Sequence, residues 1–152
     1  MSAIALDDVA KRIIALLQVD GRMSYAAIGK DVGLSEAAVR QRVQKLTDAG
    51  VIDIVAVTDP IQLGFARQAM IGIRASGPLE PLADELAALP EVDYVVITAG
   101  SYDLLVEVVC ESDAHLLDLV SEQIRRRPDV VSSETFMYLK LAKQTYTWGV
   151  PD

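Results

Sequence analysis

The chain has 152 residues, 51% of them hydrophobic, so it can bury one core or two small ones, and a disordered class is excluded. Its formal charge is -8 and its one cysteine, Cys110, has no second thiol to pair with, which rules out a disulfide framework or a cysteine zinc cluster. No apolar run approaches the roughly 20 residues of a membrane span, and MSAIALDDVAKRII lacks the apolar core and cleavage site of a signal peptide, so a cytoplasmic protein with no membrane partner is expected.

From Leu6, apolar Val9, Ile13, Leu16 and Leu17 follow helical spacing, with Asp7 placed to cap the helix and Asp8 suited to the positive end of its dipole. Asp20-Gly21 ends this first helix. Ser24 can cap a second helix that runs through Val32, and Gly33 can supply a left-handed turn before Ser35 caps a third. Val39, Val43 and Leu46 mark the buried stripe of that third helix, and Ala49-Gly50 closes it ahead of the strand-like VIDIVAV. Three short helices with a tight glycine turn and a trailing strand predict a winged helix-turn-helix. A small helical bundle with no nucleic-acid role shares the pattern.

On a wheel of about 100° per residue, Ala37, Gln41 and Gln44 point away from the buried stripe, flanked by Arg40, Arg42 and Lys45. Glutamine reaches base edges in a major groove, alanine permits close approach, and arginine and lysine neutralise phosphates. Ser35 and the helix N-terminus can donate to a phosphate as well. An ordinary solvated face would mix signs, whereas no acid lies between Ala37 and Leu46. Up to Thr58, seven bases balance seven acids; beyond it seven bases face fifteen acids, so the whole excess of negative charge belongs to the second part.

After Asp59-Pro60 the pattern becomes strand, helix, strand, strand, helix, strand. AMIGIRA is a strand, Pro78 starts a helix through Leu89, and VDYVVITA and DLLVEVVC form a hairpin about Gly100-Ser101-Tyr102-Asp103. Ser112 caps a helix to Arg127, and VVSSETFMYLKL is the last strand. This order predicts a ferredoxin-like βαββαβ domain and an α+β protein. The expected organisation is a DNA-binding domain over 1–58 that includes the trailing strand, a linker over 59–66, and an effector-binding and oligomerisation domain over 67–152. A sheet with helices on one face should alternate apolar and polar, yet Leu104, Leu105, Val106, Val108 and Val109, like Val95, Val96 and Ile97, are apolar on both. A second copy of the chain is the expected cover, giving a homodimer.

The stretches "LDD" with "DGR", "GLSEAAVRQRVQKLTDAGVI", "DPIQLG", "AGSYDLLVEV" and "SSETFMYLK", in that order and spacing, resemble the Lrp/AsnC (leucine-responsive, feast/famine) family of bacterial and archaeal transcription regulators. The resemblance spans nearly the whole chain. It implies a winged helix-turn-helix joined to a RAM sensor domain that binds amino acids or related metabolites, in a nucleoid-associated cytoplasmic protein. Dimers that assemble into tetramers, octamers or higher forms on double-stranded promoter DNA are implied too. Carried onto this chain, the resemblance implies an effector pocket lined by Gly100, Tyr102 and Asp103 with Ser133 and Thr135. Asp103 or nearby carbonyls would accept from an amino-acid ammonium, and amides of the glycine turn would donate to its carboxylate. A plain hairpin in which Asp103 caps its own backbone is the alternative. Two departures from the family pattern are Ala10, where an acid is usual, and "DIVAVT", where a glycine-tyrosine pair is commoner.

Other signals imply little chemistry. Arg125, Arg126 and Arg127 end a helix, where cations complement the dipole, and Tyr146 and Trp148 suit packing against the body or a partner chain. His115 has no companions for a metal site or a triad, and the chain offers no nucleophile with its base and no phosphate loop. No enzyme and no cofactor are expected beyond an amino-acid effector. An architectural protein that organises DNA without an effector shares the same assembly.

Overall fold

The computed structural model describes residues 6–150, which divide into two compact units: 6–57 with 143–150, and 58–142. Chain order alone assigns the last of these residues to the second domain. Instead Val150 packs beside Ala10, Ile14 and Leu46 of the first unit, the buried apolar set on which Ala10 sits.

In the first unit Asp7, Ser24 and Ser35 hold extended backbone, and their side chains accept from the amides of Ala10, Ala27 and Ala38 at 2.7, 3.2 and 3.2 Å. Each satisfies one of the orphan donors at a helix start. The helices that follow are α1 (Asp8–Val19), α2 (Tyr25–Val32) and α3 (Glu36–Asp48). Between α2 and α3, Gly33 takes φ 71°, a left-handed conformation that glycine adopts without steric cost. Gly29 is needed for a different reason, because a Cβ there would meet the backbone carbonyl oxygen of Leu34. Ile13, Leu17, Ile28, Val39 and Val43 fill the space the helices enclose.

The strand expected over VIDIVAV does not form: residues 51–57 pair with no other segment among the described residues, and Ile54, Val55 and Val57 are exposed. A strand needs an edge to satisfy its amides and carbonyls. The described residues of the first unit contain no other strand to offer one, so they hold a helix-turn-helix without a wing strand.

The second unit is a four-stranded antiparallel sheet of β1 (Arg67–Ala75), β2 (Val92–Ile97), β3 (Leu104–Cys110) and β4 (Val130–Met137), in the order β2-β3-β1-β4. With α4 (Leu79–Ala87) and α5 (Asp113–Asp118) between the strands, this is the expected ferredoxin-like connection. Side chains alternate across the strands, so Ala69, Ile71 and Ile73 of β1 and Leu104, Val106 and Val108 of β3 join Leu82, Leu86, Leu119 and Ile124 in one core. The helix expected to run unbroken to Arg127 widens after Asp118 into a π-helical turn over Leu119–Ile124. Residues five apart lie about 140° apart on an α-helix. The wider turn brings both Leu119 and Ile124 into the core. The other sheet face carries Met70, Gly72 and Arg74 of β1, Val96 of β2, Leu105 and Glu107 of β3, and Glu134 and Phe136 of β4.

Candidate functional site

Helix α3 turns Val39, Val43 and Leu46 inward and leaves Ala37, Arg40, Gln41, Gln44 and Lys45 exposed, with Ser35 at its capped start. The outward face of the helical wheel is therefore a continuous solvent surface. Its charges are not all free. Arg40 Nη2 donates to Glu36 Oε1 at 3.0 Å, one turn earlier, and the guanidinium stacks 5.1 Å from the Tyr25 ring centre. Arg42, half-buried, donates through Nη1 to both carboxylate oxygens of Asp7 at 2.8 and 3.0 Å. Gln44 donates to Asp48 at 2.7 Å. Lys45 makes no ion pair among the described residues.

Asp7 thus serves two partners, since it also caps α1. The hydrogen bond from the Ala10 amide and then the Arg42 guanidinium hold its carboxyl below the ordinary 3.8. Arg42 consequently ties α3 to the start of α1 rather than standing free beside Arg40. The Glu36 and Asp48 partners sit at helical i, i+4 spacing and are legible in the chain; the Asp7 partner lies 35 residues away and is not.

At the central hairpin, the sheet separates the residues that the family resemblance groups as an effector pocket. Gly100 is exposed at the turn. Asp103 is committed to backbone: its amide donates to Ile73 O at 2.8 Å, and its Oδ2 accepts from the Ala75 amide at 2.8 Å. The turn is closed further by Thr98, whose hydroxyl donates to Tyr102 O at 2.5 Å. Ser133 and Thr135 pair opposite Ile73 and Ile71, which places them on the helix-covered face. Tyr102 reaches the other face. Its ring lies against Gly72, where an added Cβ would come within 2.7 Å of it, and packs edge-on to Phe136 with centres 6.0 Å apart. Its hydroxyl donates to Glu134, and the Arg74 guanidinium lies 5.9 Å from the ring centre. Sequence reasoning misses Arg74, Glu134 and Phe136 because strand parity alone does not say which parity shares a face with the turn.

Three capped helices with a glycine turn, followed by a ferredoxin-like domain, define a helix-turn-helix protein. Residues 6–47 match the AsnC-type helix-turn-helix domain, and residues 65–151 match the AsnC-type C-terminal dimeric alpha+beta barrel domain. The HTH-type transcriptional regulator FL11 of Pyrococcus horikoshii is 34% identical over 147 residues, covering 93% of this chain and 95% of that one. The structure of Escherichia coli AsnC matches with a TM-score of 0.78 at 28% identity, over 93% of this chain and 97% of that one. A Neisseria meningitidis regulator, NMB0573, solved as its L-Met complex, shares the fold with a TM-score of 0.82 at 23% identity over 97% of each chain. The chain belongs to the Lrp/AsnC family of transcriptional regulators, which are not enzymes. Among the described residues no helix is long and apolar enough to cross a membrane.

Proposed function

We propose that this regulator binds specific DNA sequences as a homodimer, with α3 of each subunit entering a major groove and an amino acid or related metabolite modulating the assembly. The observation that carries the DNA reading is the exposed face of Ala37, Gln41, Gln44 and Lys45 on a capped helix whose opposite face is fully buried. Glutamines there read base edges, while Arg40, Lys45 and the Ser35 helix start meet phosphates, so the site is a rough palindrome with half-sites about one turn apart. In this reading residues 1–58 bind DNA, 59–66 link, and 67–142 assemble and sense, while 143–150 belong with the first unit. The dimers associate further, to tetramers, octamers or higher.

The test is fluorescence anisotropy with duplexes selected from random sequence, compared with scrambled duplexes over a range of salt. Gln41→Ala relaxes discrimination between the two while leaving the salt dependence in place. Equal affinity for selected and scrambled duplexes would establish the architectural alternative instead.

The effector reading draws on the turn at Gly100, Tyr102 and Asp103 and on the neighbouring charges of Arg74 and Glu134, which suit the two ends of a zwitterion. Ser133 and Thr135, which the family resemblance groups with this turn, flank Glu134 on the same strand with their side chains on the helix-covered face. The related fold solved with L-Met supports an amino acid as the ligand class. Thermal-shift screening against the twenty amino acids, followed by size measurement with each hit, tests it. A ligand that binds without changing assembly or DNA affinity overturns the coupling.

A further inference from the structure

At the far end of β3 from the Gly100 turn, a cavity of about 370 Å³ opens between the 58–65 turn and the start of β2. That is within the size range of small-molecule sites. Its apolar side is formed by Leu63, Phe65 and Val109, and its polar side by Glu91, Asp93 and His115. Val109 lies five residue steps beyond Leu104 on β3, roughly 17 Å along a strand, so this space is separate from the hairpin turn.

The walls are fixed before any ligand arrives. Asp59 Oδ1 accepts from the Ile61 amide at 2.9 Å, and the Leu63 and Phe65 amides both donate to Pro60 O, at 3.1 and 3.0 Å. Gly64 closes the turn at φ 100°. Glu91 is held twice: its carbonyl accepts from the Val109 amide at 2.9 Å, and its Oε1 lies 3.0 Å from His115 Nε2. A rigid apolar wall with a pre-oriented carboxylate is a pre-organised site, which lowers the ordering cost of binding.

The electrostatics select the ligand. Two carboxylates line the space and no lysine or arginine does. Arg67, which pairs with Cys110 across the sheet, is already engaged by Asp113 through two hydrogen bonds. A cationic head is therefore matched by Glu91 and Asp93, whereas a carboxylate would enter a field of its own sign with no donor cation to meet it. We propose that this cavity binds a small primary amine with an apolar body and no carboxylate, the ammonium on Glu91 and Asp93 and the apolar body against Leu63, Phe65 and Val109. The site does not depend on the effector reading of the Gly100 turn, and it excludes the zwitterions that reading requires.

The test uses the full-length protein and four probes of matched size: phenethylamine, 2-phenylethanol, 3-phenylpropanoate and L-phenylalanine. Binding is read by titration of amide resonances. Phenethylamine is expected to bind at least about fivefold more tightly than the neutral alcohol, with the largest shifts at residues 59–65 and 91–93. Glu91→Gln and Asp93→Asn should each remove much of that preference while leaving the alcohol's affinity unchanged. Because Glu91→Gln also alters the pairing with His115, Asp93→Asn keeps the test independent of that pair. Four probes binding alike, shifts centred on 98–103, or an amine preference that survives both substitutions would overturn the proposal. So would no binding of phenethylamine up to about 10 mM, weaker than the millimolar range that defines a poor ligand.

Discussion

Arg42 shows how a residue's surroundings change its role. On a helical wheel it flanks the outward face of α3 like Arg40 and Lys45, but in the folded chain its guanidinium is held by both oxygens of Asp7. A phosphate must compete with that carboxylate, whereas Lys45 is available. Lys45→Ala should therefore lower the slope of log affinity against log salt by about 0.9 for each phosphate it no longer neutralises. Arg42→Gln should lower the slope less and reduce the thermal midpoint of the protein, because it loosens α3 from the start of α1. Anisotropy at several salt concentrations and calorimetry separate the two effects. Asp7, Asp31 and Asp113 all have carboxyls below the ordinary 3.8, held there chiefly by the Ala10 amide, Arg12 and Arg67 respectively. Their folded values lie under their unfolded ones, so the stability they confer is present above about pH 4 and is lost as pH falls through the lower folded values. Denaturant midpoints measured from about pH 5 down to about pH 2.5 should fall steadily, and Asp7→Asn should flatten part of that decline.

At the scale of elements, the hairpin and β1 are locked by an exchange of shape. Gly72 leaves room for the Tyr102 ring, and the Tyr102 carbonyl in turn accepts from the Thr98 hydroxyl in the turn before β3. Gly72→Ala should cost about 1–3 kcal/mol by overpacking, measured by chemical denaturation. The double variant Gly72→Ala with Tyr102→Ala should recover part of that loss, since the ring that the new methyl strikes is gone. The elements are readable in the sequence because their signals are local: Ser24 and Ser35 cap, Gly33 turns, and short apolar runs bounded by turn residues mark β1 and β3. Local signals fail where pairing decides. VIDIVAV has the composition of a strand, yet without an edge to bond it remains single. The π-helical turn after α5 is equally invisible, because core packing of Leu119 and Ile124 sets it, not propensity.

For the molecule as a whole, the second sheet face is the feature that calls for a partner. Val96, Leu105 and Met70 lie on it half-buried, and Tyr94 and Phe136 are 52% and 43% exposed, while both helices occupy the other face. The matched C-terminal domain type is a dimeric one, which agrees with a second copy covering this face. Leu105→Arg places a charge at its centre and should shift the protein from dimer to monomer in light scattering at micromolar concentration. A dimer that persists would locate the interface elsewhere. Trp148 is 89% exposed and so does not pack against the chain's own body, the first of the two roles its composition suggests.

By itself the sequence determined the helix-turn-helix, the βαββαβ order, the outward face of α3 and the confinement of negative charge to the second part, because each is written in spacing, caps or composition. Only the tertiary structure decided that Asp7 claims Arg42, that Asp103 binds the backbone of β1 at Ala75 and Ile73, and that Ser133 and Thr135 lie across the sheet from Tyr102. These are meetings between residues far apart in the chain. Which side chains meet depends on sheet register and helix packing, and neither is encoded in any one local stretch.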